Sequence, residues 1–192
     1  MKQESITHLK VGKKAPAFSG LDQDENKFDL KSTLGKKVVL FFYPGDLTPT
    51  CTVEVCNLRD NFSKLKKAGY VLIGISKGTV KNKKKFAEKH DLPFRLINDP
   101  DLKIANKYGV FGDKLFMGKT IQSIHRLTFI IDEEGKIAHI IHKVKSKQAA
   151  EQILEWERNK IGLIFILLIL IRTKLLIESL HKRPPLLRRV NF

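Results

Sequence analysis

Cysteine is scarce in this chain: two in 192 residues, too few for a secreted domain built on disulfides. The two do not form a C-x-x-C pair, and no spaced histidine pair accompanies them, so a four-ligand zinc site is not expected. His125 is the nearest histidine by type, but nothing spaces it as a ligand. Dithiol reductases that rely on C-x-x-C are excluded by the same spacing. No apolar run follows Met1-Lys2-Gln3-Glu4-Ser5, so a cytoplasmic location is expected, where cysteines rest as thiols and a disulfide between them is transient. Internal repeats and low-complexity tracts are absent. No apolar run reaches the ~20 residues that a membrane-spanning helix needs. The longest, residues 161–171, has eleven, and extending it would admit Arg172, Lys174 and Glu178.

Acidic residues are also in short supply, 20 against 36 lysines and arginines, for a formal charge of +16. That balance invites a nucleic-acid reading, and the distribution argues against it. From Lys160 onward there are seven Lys or Arg and one acid, Glu178, so the C-terminal stretch carries about six of the charges. Lys81, Lys83, Lys84 and Lys85 read as the solvated face of a helix, and no aromatic residues interleave with them as a stacking platform requires. Specific nucleic-acid binding is therefore not expected.

An apolar content of 42% is ordinary for a globular protein of one domain. Short segments around the polar turn 20–26 predict an N-terminal β-hairpin. Val38-Val39-Leu40-Phe41-Phe42 reads as a buried strand, followed by a helix from about 51 to 67 that ends at Gly69. Residues 70–76 form a second buried strand. Thr79 caps a helix reaching His90, with Pro93 beyond it. A short strand at 94–97, a helix from Asp99 to about Gly109 and a long loop over 109–123 come next. Residues 127–132 and 137–141 make a hairpin around Glu133-Glu134-Gly135-Lys136, and Ser146 caps a last helix. This order predicts an α/β fold, a central mixed sheet flanked by helices, in thioredoxin-like arrangement. The expected division is a domain over 1–160 and an apolar, basic extension over 161–192. The extension reads as a helix docking on the domain or a partner, or as an interfacial membrane anchor.

Chemistry concentrates where the first buried strand turns into a helix, at Tyr43-Pro44-Gly45-Asp46-Leu47-Thr48-Pro49-Thr50-Cys51. A buried cysteine is usually a small hydrophobe, but Cys51 follows a polar turn at a helix start. There the free N–H groups and the positive end of the dipole favour an anion, so Cys51 is read as a reactive thiolate. Cys56 lies five residues on, about 8.6 Å away between Cα atoms of an intact helix. Disulfides rarely close beyond ~7 Å, so a bond between the two demands that the first helical turn unwind. Arg126 can supply a fixed cation and a fork of donors, Thr48 a hydroxyl, and Pro44 shielding without a competing N–H.

Pro44-x-x-x-Thr48-x-x-Cys51 resembles the active-site signature of the peroxiredoxins, and Arg126-x-Thr128-Phe129-Ile130-Ile131-Asp132 resembles their second block. Tyr43-Pro44, Thr48-Pro49, Cys51-Thr52, Glu54, Arg59-Asp60 and the second cysteine at 56 are similar to the bacterioferritin-comigratory, or Q-type, subfamily. This resemblance covers residues 8–160. It implies that Cys51 is the peroxidatic cysteine, oxidised to a sulfenic acid, and that Cys56 resolves it as an intramolecular disulfide reduced by thioredoxin or a similar dithiol. It also implies that Thr48 and Arg126 polarise the peroxide, that Pro44 shields the site, that no metal, haem or flavin is used, and that the protein is a monomer. Thr50 stands where the family commonly has glycine, and Leu127 where it usually has serine. A thiol redox sensor or chaperone-like protein using the same 51–56 switch is the alternative.

Overall fold

The computed structural model describes residues 6–181. The chain up to Leu154 clusters as one compact unit and the chain from Glu155 as another. In order, the strands are β1 (Ser19–Leu21), β2 (Lys27–Asp29), β3 (Lys37–Phe42), β4 (Tyr70–Ser76), β5 (Arg95–Asn98), β6 (Phe111–Phe116), β7 (Lys119–Ile124), β8 (Leu127–Ile131) and β9 (Ile137–Ile141). The helices are α1 (Pro49–Asp60), α2 (Phe62–Lys67), α3 (Val80–Lys89), α4 (Lys103–Lys107) and α5 (Ala149–His181). Short 3-10 turns precede β3 at Leu30–Thr33 and α5 at Ser146–Gln148.

Five strands form the central sheet in the order β5-β4-β3-β8-β9. β3, β4 and β5 run parallel, while β8 is antiparallel to β3 and β9 to β8. The parallel half arises because helices separate its strands, as parallel neighbours require, and the antiparallel half because a tight turn joins β8 to β9. β1 and β2 pair as the expected N-terminal hairpin, Ser19 opposite Asp29.

The alternation of side chains along β3 separates two buried faces. Val38, Leu40 and Phe42 point into the core that holds Phe129, Ile104 and Tyr108, and the Phe42, Tyr108 and Phe129 rings pack tilted or edge-to-face with centroids 5.1–5.8 Å apart. On the opposite face Phe41 meets Phe94, and Tyr43 meets Phe86 of α3. Helices thus cover both faces, the mixed layered arrangement that the order of elements predicts. Gly74 in the middle of β4 makes room for this: a Cβ there would lie 2.6 Å from the Phe41 ring and 2.8 Å from Leu96.

Three expectations need correction. Residues 109–123 are not a loop: β6 and β7 form a hairpin turned at Met117 and Gly118, both at positive φ. Its turn lacks the Asn-Gly signal, and Leu115, Met117 and Ile121 lie exposed, so no buried face imprints an alternating pattern. The helix expected over 51–67 is broken at Asn61, whose side-chain amide donates to the Asn57 carbonyl at 3.1 Å; such local bonds compete with the helical ladder. Lys83 is not on a solvated face. Lys81, Lys84 and Lys85 are exposed, but Lys83 is fully buried beside Phe86 and Ala87.

Candidate active site

β3 delivers the chain to the site. Phe42 is buried and paired with Leu127 of β8, which sets Arg126, the residue just before β8, beside the end of β3. After Phe42 the chain continues through buried Tyr43, whose N–H donates to Ile75 O at 3.1 Å, and half-buried Pro44. Leu47 adopts φ 60°, and Thr48 then takes the extended N-cap conformation that starts α1, with Pro49 in its first turn. Proline suits that position because its missing N–H is one of those a helix start leaves unpaired.

Cys51 is the third residue of α1 and is buried, 1% exposed. Its Sγ accepts a hydrogen bond from Arg126 Nη2 at 3.2 Å. Arg126 Nη1 is held by the Glu54 carboxylate through Oε2. Glu54 lies three residues after Cys51, so both side chains leave the same face of α1 and meet one guanidinium. The contact uses a single carboxylate oxygen, Oε1 having no hydrogen-bond partner, and Arg126 keeps its second nitrogen for the sulfur. A buried cysteine sulfur near a helix start, faced by a guanidinium, has a fixed cation beside it.

The loop before α1 is anchored from below. Asp46 Oδ1 accepts from Tyr43 Oη at 2.7 Å, Ser76 Oγ at 3.1 Å and Lys83 Nζ at 3.3 Å. Lys83 Nζ also donates to Ser76 Oγ at 2.6 Å and lies 5.3 Å from the Tyr43 ring centroid. Burial pushes the Lys83 ammonium below its ordinary value while Asp46 opposes that shift, and burial followed by the Asp46 charge raises Tyr43. Both side chains of the ion pair are nearly inaccessible, 0% for Lys83 and 5% for Asp46.

Cys56 is half-buried on the continuous α1 helix, its Sγ 3.8 Å from His90 Nδ1 at the end of α3. Arg59 Nη1 donates to the His90 carbonyl at 2.8 Å. Both cysteines are free thiols on a wound helix. Cys51 and Arg126 are therefore in contact, whereas Cys56 faces α3. Thr48 Oγ1 donates to Gly45 O at 3.3 Å rather than to Cys51. Pro44 lies in the connecting loop. Among the described residues no group of three or more His, Cys, Asp or Glu is placed to hold a metal ion; His125 Nε2 instead lies 3.0 Å from Asp113 O.

Sequence reasoning missed the roles of Glu54 and of the Tyr43–Asp46–Ser76–Lys83 network. For Lys83 a signal existed: positions 83, 86, 87 and 90 follow helical spacing, so the lysine falls on the inward stripe of α3. For Glu54 the only local cue was its three-residue offset from Cys51.

The AhpC/TSA family profile matches residues 11–140. This chain belongs to the AhpC/TSA family. Peroxiredoxin Bcp of Escherichia coli K12 is 44% identical to it over 148 residues, 77% of this chain and 95% of that protein. The crystal structure of peroxidoxin BcpB from Mycobacterium tuberculosis superposes with a TM-score of 0.70 at 31% identity, over 79% of this chain and 98% of that one. The Xanthomonas campestris bacterioferritin comigratory protein, described for alkyl peroxide reduction, superposes with a TM-score of 0.72 at 26% identity, over 79% and 99%. The chain is thus a peroxiredoxin of the bacterioferritin-comigratory kind with a thioredoxin-like fold. Within that family the thiol of Cys51 is the natural focus, since the Arg126 donor points at its sulfur.

Proposed function

We propose that this peroxiredoxin is a thiol-dependent peroxidase reducing hydrogen peroxide and organic hydroperoxides, with Cys51 peroxidatic and Cys56 resolving. The partly buried contact of Arg126 Nη2 with Cys51 Sγ, at 3.2 Å, carries the reading. The Cys51 thiolate attacks the terminal peroxide oxygen, the O–O bond breaks, and the departing alkoxide or hydroxide takes a proton to leave as alcohol or water. Arg126 stabilises the charge that shifts from sulfur to oxygen, with Thr48 orienting the peroxide and Pro44 limiting water. Cys51 is left as a sulfenic acid.

The Cys56 sulfur then attacks the sulfenic sulfur, the S–S bond forms and the S–O bond breaks, releasing water. An intact α1 holds the two Cα atoms about 8.6 Å apart, beyond disulfide reach, so residues 51–56 unwind before resolution. Thioredoxin or a similar dithiol then reduces the disulfide. The peroxidatic unit is residues 1–160, acting as a monomer in the cytoplasm without a metal or organic cofactor, and 161–192 is an appended segment.

The test is intact mass and free-thiol count after one equivalent of hydrogen peroxide, on the parent chain and on Cys56→Ser. Loss of both thiols as an intramolecular disulfide, with the variant stopping at sulfenic acid or an intermolecular dimer, supports the mechanism. Retention of both thiols in the parent chain sinks it.

A further inference from the structure

The strongest unexplained feature outside the active site is the middle of α5. Every described side chain from Ile161 to Ile171 other than Gly162 is large, apolar and 47–70% exposed. Seven of them, Phe165 to Ile171, are consecutive, and at ~100° of turn per residue they face every side of the helix. A helix apolar all round is normally buried in a core or in lipid.

The borders of this stretch carry charge of one sign. Arg158 and Lys160 precede it, with Lys160 Nζ 5.4 Å from the Trp156 ring centroid; Arg172 and Lys174 follow it. Glu155 and Glu157 lie before Arg158, and Glu178 lies after Lys174. In the sequence beyond the described residues Lys182, Arg183, Arg188 and Arg189 follow with no acid. No helix among the described residues is long and apolar enough to cross a membrane, and eleven helical residues extend only ~16 Å against a hydrocarbon core of ~30 Å.

We propose that Ile161–Ile171 is a lipid-binding segment immersed parallel to the bilayer plane, among the acyl chains just beneath the headgroups of a leaflet containing anionic lipid. Cations at both borders of a stretch too short to span can reach headgroups together only if the helix runs parallel to the surface. Lipid, unlike a second protein helix, can cover all sides at once; a second copy of this chain would cover one stripe and leave the rest in water. Trp156 and Lys160 then lie at the interface, where an aromatic ring and a cation are favoured, and Arg172 and Lys174 lie against phosphate. The apolar stretch supplies the immersion and the bases select anionic headgroups.

The test uses the full chain, sedimented with vesicles of phosphatidylcholine alone or mixed with phosphatidylglycerol, beside the Leu167→Asp/Leu170→Asp and Arg172→Gln/Lys174→Gln variants. The substituted residues are exposed, so peroxide-dependent loss of the Cys51 thiol should be unchanged in both and serves as the folding control. The parent chain should pellet with the mixed vesicles, the aspartate variant should lose at least about tenfold in partitioning, and the glutamine variant about tenfold, as should the parent chain in high salt. Emission from Trp156, the single tryptophan, should shift to the blue when mixed vesicles are added to the parent chain. Pelleting without vesicles, equal binding to phosphatidylcholine alone, or no binding with an unshifted Trp156 each overturns the proposal.

Discussion

Glu54 holds Arg126 from the same helical turn that carries Cys51, so the guanidinium and the thiol it faces are positioned by one element. Unwinding of residues 51–56, as the proposed resolution step requires, would pull the sulfur and the carboxylate from Arg126 together. In that step the cation would engage the sulfur only while the site is reduced and wound, and release of Glu54 would accompany resolution.

That arrangement makes the first oxidation sensitive to Arg126. Removing a preorganised donor of this kind costs about 100- to 1,000-fold, and Arg126→Met should slow Cys51 oxidation by that order. Arg126→Lys should recover only part, because a single ammonium cannot serve both Glu54 and the sulfur with the geometry of a fork. The measurement is the second-order rate of thiol loss under a peroxide excess. Parent-like oxidation of Arg126→Met would remove Arg126 from the chemistry.

Resolution should respond to helix propensity between the two cysteines. Val53 lies there with 38% exposure, and alanine is the better helix former by about 0.6 kcal/mol. Val53→Ala should therefore slow disulfide formation about two- to threefold while leaving the first oxidation unchanged. Rapid-quench mass analysis separates the two steps. Faster resolution in the alanine variant would mean that unwinding of α1 does not limit it.

The buried ion pair beneath the loop predicts a stability effect with a kinetic echo. Breaking one side of such a pair leaves a lone buried charge and costs about 3–5 kcal/mol. Lys83→Met should lower stability by that order and slow Cys51 oxidation, because Asp46 belongs to the loop that ends in Thr48. Pairing it with Asp46→Asn should restore part of the loss, a coupling that urea denaturation of both single variants and the double variant can measure. Additive losses would show that the pair does not act as a unit.

The sheet was legible in the sequence because its strands are continuous apolar runs, and the position of Cys51 in the first turn of a helix because strand, polar turn and helix start coincide at 43–51. Lys83 and Glu54 were harder. A lysine within a run of lysines looks solvated until helical spacing is weighed against Phe86 and Ala87, and a glutamate on α1 acquires meaning only when β8 brings Arg126 to it. The β6–β7 hairpin is hard to read in the sequence because only its base, at Phe111 and Ile124, packs on the core and its turn is Met-Gly. The break at Asn61 is a local backbone departure, φ −102° and ψ 9°, accompanied by a side-chain bond to Asn57, and the pattern of apolar residues contains neither.

Acid should weaken this fold before its carboxylates titrate. His90, His125 and His139 are all held below the ordinary histidine value, in each case chiefly by burial, with Lys89 and Arg59 lowering His90 further and His142 lowering His139. For a group whose folded value is depressed, the unfolded chain binds more protons as pH falls below ~6.5. The stability these histidines lend is complete above that value, is lost as pH drops through the folded values, and levels off below them. Urea midpoints should accordingly begin to decline as pH falls below about 6.5, before the ordinary carboxylate range is reached. His139→Gln, in the half-buried part of β9, should flatten the decline. A midpoint constant across that interval, or a slope unaltered by the substitution, would assign the acid sensitivity to other groups.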